Sequence, residues 1–183
     1  MAKATKSARF KLKNVRLSFP SLYERSKMKG DDGPGKYEAT FLLPKSDKKQ
    51  FQMIKKIAEA TIAEAGIKVP KDKWCIKDGD DVEYDGYQDC WSIKASTKKR
   101  PQTFDRDLTP LDSEDEKFYP GCFVNASLDF WVQDNEYGKR LNCNLYGVQF
   151  AKDGEEFGDS VDVSDDFEAE EADEDLDFEA DDL

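Results

Sequence analysis

Three observations predict a mainly β protein: a small, five-stranded, partly open barrel with one packed helix and a disordered acidic tail. Short runs of alternating apolar and polar residues recur through 8–150, one stretch near 47–65 has helical spacing, and the composition turns acidic after Lys152. A length of 183 residues suits one domain with appendages. The reading divides the chain into a domain, 1–152, and a tail, 153–183.

The first strand is expected over 8–19. Phe10 and Leu12 share a face. Val15, Leu17 and Phe19 continue it after a phase change at Lys13-Asn14, the mark of a bulge. Arg9, Lys11 and Arg16 then lie opposite. Pro20 is expected to end the strand. Residues 21–35 read as a loop in which Arg25, Lys27 and Lys29 alternate with Tyr23 and Met28, closing in a Gly- and Pro-rich turn. The second strand begins at Lys36, carries Tyr37, Ala39, Phe41 and Leu43 on one face, and closes at Pro44.

Ser46 or Asp47 can cap the helix, with Gln50 three residues after Asp47. Phe51, Ile54, Ile57, Ala58 and Ile62 form its apolar stripe, a core-packing face, and Gly66 ends it. Residues 71–89 are turn-rich and show no clear element. From Cys90 to Lys98 a third strand sets Trp91, Ile93 and Ala95 against Ser92, Lys94, Ser96 and Lys98. Lys99, Arg100 and a polar loop with Phe104 lead to Tyr119-Pro120-Gly121. The fourth strand alternates cleanly: Val124, Ala126, Leu128, Phe130 and Val132 inward, Asn125, Ser127, Asp129 and Trp131 outward. A turn at 135–139 joins it to a fifth strand over 141–150, as a hairpin. Five strands and one helix suggest an OB-like barrel, with an open sheet covered by a helix as the alternative. The helix falls after the second strand, whereas OB-folds usually place it after the third.

The net charge of −12 conceals an asymmetry. Residues 153–183 hold 17 of the 40 acidic side chains and none of the 28 basic ones, which leaves 1–152 at +5. The tail cannot bury enough surface to offset its ordering entropy, so disorder is expected. Leu176, Phe178 and Leu183 are apolar points near its tip, candidates for binding a partner.

Several chemistries find no support. The chain has no histidine, so Ser-His and Cys-His dyads are ruled out. Cys75, Cys90, Cys122 and Cys143 form no C-x-x-C pair and read as buried reduced thiols, with no metal or cofactor expected. The 78–85 stretch, from Asp78-Gly79-Asp80-Asp81 to Asp85, could serve a metal-dependent nuclease, but it lacks calcium-loop spacing and reads better as a solvated turn. No stretch reaches the roughly 18 apolar residues of a membrane span. The basic N-terminus lacks an apolar h-region. A cytoplasmic protein is expected.

Single-stranded nucleic acid is held by basic grooves and by aromatic faces on which bases stack. Arg9, Lys11 and Arg16 could form a stripe with Lys94 and Lys98, extended by Arg100, Arg25 and Lys27. Tyr23, Phe104, Trp131 and Tyr146 are candidate stacking residues. A tethered polyanion would compete for such a groove at an effective concentration of about 1 mM.

Specific motifs add to this: Arg16-Leu17-Ser18-Phe19-Pro20, Tyr119-Pro120-Gly121-Cys122-Phe123-Val124-Asn125, and Leu145-Tyr146-Gly147-Val148-Gln149-Phe150 followed by Lys152-Asp153-Gly154-Glu155 and Phe157-Gly158. Through them most of 8–158 resembles a phage-encoded family of single-stranded DNA-binding proteins, long described as a domain of unknown function. The resemblance implies an OB-fold, no catalysis, and protection of DNA in phage replication or recombination. It also implies a tail that recruits replication or recombination proteins. An annealing or recombination mediator on the same fold is the near alternative; a nuclease using Asp78 to Asp85 is the distant one.

Overall fold

A computed structural model describes residues 5–26, 35–157 and 167–169. Its strands are β1 (Thr5–Lys6), β2 (Phe10–Ser26), β3 (Lys36–Pro44), β4 (Ile76–Asp78), β5 (Cys90–Thr97), β6 (Gln102–Phe104), β7 (Phe123–Asn135) and β8 (Gly138–Lys152). Helix α1 (Lys48–Ala65) lies between β3 and β4. Five strands close a ring in the order β2-β3-β5-β8-β7, the OB order. All neighbours are antiparallel except β5 and β8, which run parallel and meet at Ser96 and Asn144. That seam is short. Near it, Trp74 bridges Leu141 of β8, and β4 pairs with β5.

The core follows the predicted alternation. Leu12, Val15, Leu17, Phe41, Ile93, Val124, Leu128 and Phe130 are buried inside the ring. Helix α1 contributes Ile54, Ala58 and Ile62 to the same core and packs against β7 and β1. Asp47 caps it by accepting from the Gln50 N–H, and Gly66 ends it in the left-handed conformation. The helix thus sits after the second ring strand, as its sequence position requires, without disturbing the strand order.

Three register shifts shape β2, the last between Ser21 and Ser26. The first lies between Leu12 and Val15, where Asn14 takes a φ of 53°. Its N–H donates to Asn125 Oδ1, and the Gln50 amide clamps the neighbouring Lys13 through both backbone groups. The second lies between Ser18 and Ser21. There the expectation that Pro20 ends the strand is corrected: β2 continues to Ser26, with Ser21 opposite Glu38 and Ser26 opposite Lys36. A bulge spares Pro20 the ladder hydrogen bond it cannot donate. The expectation that Phe19 faces inward is also corrected. Its φ of 45° turns the ring outward, and it is 48% exposed.

The 71–89 segment holds β4 between two short 3-10 turns, Lys71–Lys73 and Gly79–Asp81. Lys45 fixes the second by pairing with Asp78 and Asp80, both at 2.7 Å. The chain after β8 stays packed as far as Phe157. Tyr119 donates to Asp153, Gly154 N–H donates to Tyr119 Oη, and the Phe157 ring is buried beside Leu42 and Tyr87. Gly86 makes this possible, because a Cβ there would strike the Phe157 ring.

Candidate nucleic-acid interface

A groove of about 920 Å³ crosses the outer faces of β3 and β5 and is bounded by β4 and the start of β8. Its floor is built from side chains that alternation turns out of the core: Glu38 and Thr40 of β3, Ser92, Lys94 and Ser96 of β5. Thr40 and Ser92 are short and buried, so the floor is low and polar. Lys36, Lys73, Lys77, Lys94 and Arg140 line the groove and are all exposed. Glu38 answers Lys94 at 3.7 Å, and Asp72, Asp78 and Asp81 also line the groove, so its five cations are interspersed with four carboxylates, of which Lys45 pairs Asp78.

Aromatic rings close one end. Phe19 meets Tyr84 edge to face at 5.1 Å, and Tyr84 meets Tyr87 at 5.2 Å. Tyr87 is the buried anchor. Its hydroxyl contacts Ser18 Oγ at 2.9 Å, and burial pushes its pKa above the ordinary phenol value. Phe19 and Tyr84 remain about half exposed, at 48% and 52%. An aromatic residue held at positive φ costs on the order of 1–3 kcal/mol, and such strain clusters at binding sites.

The sequence-predicted residues fall into separate places. Lys94 lies in the groove. Tyr23, Arg25, Lys98 and Arg100 gather beside the Lys36 end: the Arg100 guanidinium sits 4.9 Å from the Tyr23 ring, and Arg25 donates to the Lys98 carbonyl and covers Tyr37. Tyr23 donates to Thr103, and burial raises its pKa. Lys27 lies outside the described residues, as do Leu176, Phe178 and Leu183.

Arg9, Lys11, Trp131 and Tyr146 occupy the outer face where β7 meets β2 and β8. Arg9 stands over the Tyr146 ring at 5.6 Å. Tyr146 donates to Asp129 at 2.5 Å, which raises its pKa to about 12. Trp131 is paired with Asn142, a residue that also lines the groove. The single stripe expected from Arg9 through Lys98 is therefore split between two sides of the barrel. Phe104 is half-buried on β6, opposite Gln149.

Arg16 is occupied structurally. Its Nε donates to the Gly121 carbonyl at 3.1 Å, its other arm to the Glu155 carbonyl, and its guanidinium covers the Phe157 ring at 4.2 Å. It fastens the post-barrel segment to β2. The groove residues that alternation missed, Phe19, Tyr84 and Tyr87, depend on a second bulge and on the irregular 79–90 segment. Their one sequence signal was an aromatic-rich stretch without a strand pattern.

The 78–85 carboxylates do not assemble a metal site. Lys45 holds Asp78 and Asp80 below the ordinary carboxylate pKa. Among the described residues, no three His, Cys, Asp or Glu groups are placed to hold a metal ion. All four cysteines are free thiols, and burial raises the Cys143 thiol. No described helix is long and apolar enough to cross a membrane.

A closed OB barrel with a charged groove ending in exposed aromatics defines a fold class built for extended ligands. Residues 8–177 match the family model described as Enterobacter phage Enc34, ssDNA-binding protein, and the chain belongs to that family. Protein p50 of Acyrthosiphon pisum secondary endosymbiont phage 1 is 39% identical over 160 residues, covering 81% of this chain and 86% of that protein. The bacteriophage Enc34 single-stranded DNA-binding protein, solved in complex with ssDNA, superposes with a TM-score of 0.71 at 34% identity. That match covers 82% of this chain and 89% of the Enc34 chain. The gp2.5 single-stranded DNA-binding protein of bacteriophage T7 shares the fold, with a TM-score of 0.52 at 15% identity over 92% of this chain and 99% of that one.

Proposed function

We propose that this chain binds single-stranded DNA without sequence preference, and that the strand lies in the groove over β3 and β5. The observation that carries the reading is the joining of five exposed cations, set among four carboxylates, with the half-exposed rings of Phe19 and Tyr84 along one channel. Cations along a channel hold phosphates, and ring faces stack bases of any sequence. Family membership and the DNA complex of the Enc34 protein support it. The cluster of Tyr23, Arg25, Lys98 and Arg100 extends the channel at its Lys36 end.

The protein serves to protect DNA in phage replication or recombination, and it acts by binding rather than catalysis. Residues 1–152 supply the binding domain. Residues 153–183 supply an acidic tail whose first part, through Phe157, is anchored on the barrel. The 17 acidic residues of the tail compete with DNA for the groove, and DNA releases the tip to replication or recombination proteins. Titration of labelled single-stranded and duplex DNA of equal length tests the reading. Tighter binding to the single strand is expected, because a duplex hides the base faces. Equal affinity at physiological salt would leave only a basic surface.

A further inference from the structure

A second pocket, of about 580 Å³, opens beside the groove between α1, the Lys71–Lys73 turn and the start of β5. It differs from the groove in chemistry. Its walls are Phe51, Trp74, Ile76 and Trp91. The ring faces here are already taken: Trp91 stacks on Phe51 at 4.4 Å with Lys45 over it at 4.9 Å, and Lys71 covers Trp74 at 3.8 Å. Rings covered in this way offer edges and not faces. The pocket therefore suits an aliphatic or aromatic side chain better than a stacked base.

The surroundings say what such a side chain should carry with it. Lys55, Lys71 and Lys77 stand on the rim, together with Asp72, Asp78 and Asp81. Asp78 is neutralised by Lys45. On the adjoining face of α1, Lys48, Lys49, Lys55 and Lys56 are exposed around a half-exposed Met53. The rim carries as many aspartates as lysines, but the lysine-rich face of α1 beside it is complementary to an acidic segment with isolated apolar residues. The chain supplies one in 176–183, Leu-Asp-Phe-Glu-Ala-Asp-Asp-Leu.

The reach is sufficient. Phe157 packs against the cluster that includes Cys90, and Trp91, the next residue along β5, lines the pocket on the opposite face of that strand. Phe157 therefore lies at the same end of β5 as the pocket, on the other face. Twenty residues separate Phe157 from Phe178, and a random chain of that length spans roughly 25 Å on average. Tethering keeps the tip at an effective concentration of about 1 mM, so even a weak contact is populated.

We propose that 176–183 docks in the pocket formed by Phe51, Trp74 and Trp91, with Phe178 inserted and its acidic neighbours on Lys55 and Lys71. This deepens the proposed role of the tail. The tip has its own seat outside the groove, on the α1 side of the pocket.

Carbodiimide coupling of the full-length protein, without DNA, tests the seat directly, because it joins carboxylates to amines only in contact. The expected result is an intramolecular link from Asp177, Glu179, Asp181, Asp182 or the terminal carboxylate to Lys55 or Lys71. Phe178→Ala should lower its yield about tenfold, the scale of one buried aromatic side chain. Links confined to Lys36 or Lys94 would overturn the proposal by placing the tip in the groove. Links only between copies, or none above those to the remote Lys139, would also overturn it. The readout does not involve DNA, so it stands or falls separately from the groove, which is tested by DNA affinity.

Discussion

Phe19 and Tyr84 meet edge to face at 5.1 Å, although 65 positions separate them in the chain and neither belongs to the core. A strained bulge delivers one and an irregular turn delivers the other. Both rings keep about half their surface in solvent at the end of a groove lined by five cations and four carboxylates.

Replacing either ring should therefore cost binding and little stability. Phe19→Ala and Tyr84→Ala should each weaken single-strand affinity by about 1–3 kcal/mol, the range for one stacked base. Their melting temperatures should stay near that of the parent. Fluorescence titration beside a thermal melt checks both halves. Unchanged affinity in both variants would remove these rings from the site.

The groove cations should act through phosphates. The triple variant Lys36→Ala, Lys77→Ala, Lys94→Ala should reduce the slope of log affinity against log salt by about 0.7 per lost contact. It should do so equally for different sequences. The same substitutions at Arg9 and Lys11 test the opposite side of the barrel, and a larger slope change there would relocate the strand.

Arg16 gives the contrasting case. Arg16→Ala should destabilise the fold by about 1.5–3 kcal/mol, as expected for loss of hydrogen bonds made by a charged group. Denaturant unfolding measures it. The salt slope of DNA binding should hardly change, because the guanidinium is spent on Gly121, Glu155 and Phe157.

The place of truncation should matter. Cutting after Phe157 should raise DNA affinity most at low salt, where the acidic tail is least screened. Cutting after Lys152 also removes the Phe157 ring from Leu42 and Tyr87. That should lower stability by about 3 kcal/mol or more, as for deletion of a buried Phe. Paired melts and titrations of the two truncations distinguish these effects. Equal affinity of the longer truncated form and the full chain at low salt would contradict competition by the tail.

Tyr146 should titrate late. Its hydroxyl donates to Asp129, which raises its pKa to about 12 from an ordinary value of 10.0. A pKa raised by folding means stability fully present below the unfolded value, then lost as pH rises from 10 towards 12. Tyr23, Tyr87 and Tyr119 are raised as well, so Tyr146→Phe should remove one tyrosine's share of the late tyrosinate absorbance. A late amplitude unchanged in that variant would contradict the Asp129 bond.

The barrel was legible because its evidence is local. Alternation through β7 named its inward residues, the cap at Asp47 and the stop at Gly66 bounded α1, and the phase break at Asn14 disclosed the first bulge. The groove was less legible because its evidence is distant in sequence. Phe19 obeys alternation up to Ser18 and then departs from it, under a backbone twist that no pattern of residue types records. Tyr84 and Tyr87 owe their place to Lys45 holding Asp78 and Asp80, and to Phe157 closing on Gly86. Arg16 looked like a member of a basic stripe; its partners lie more than 100 positions away, at Gly121 and Glu155.

The most direct test maps the strand onto the barrel. Backbone amide shifts recorded during titration with a short thymidine strand would report on both faces at once. The account predicts that the largest changes fall at Phe19, Thr40, Tyr84, Ser92 and Ser96, with little change at Lys11 and Ser127. Changes concentrated at Lys11, Ser127 and Trp131, with Thr40 and Ser92 unmoved, would contradict it.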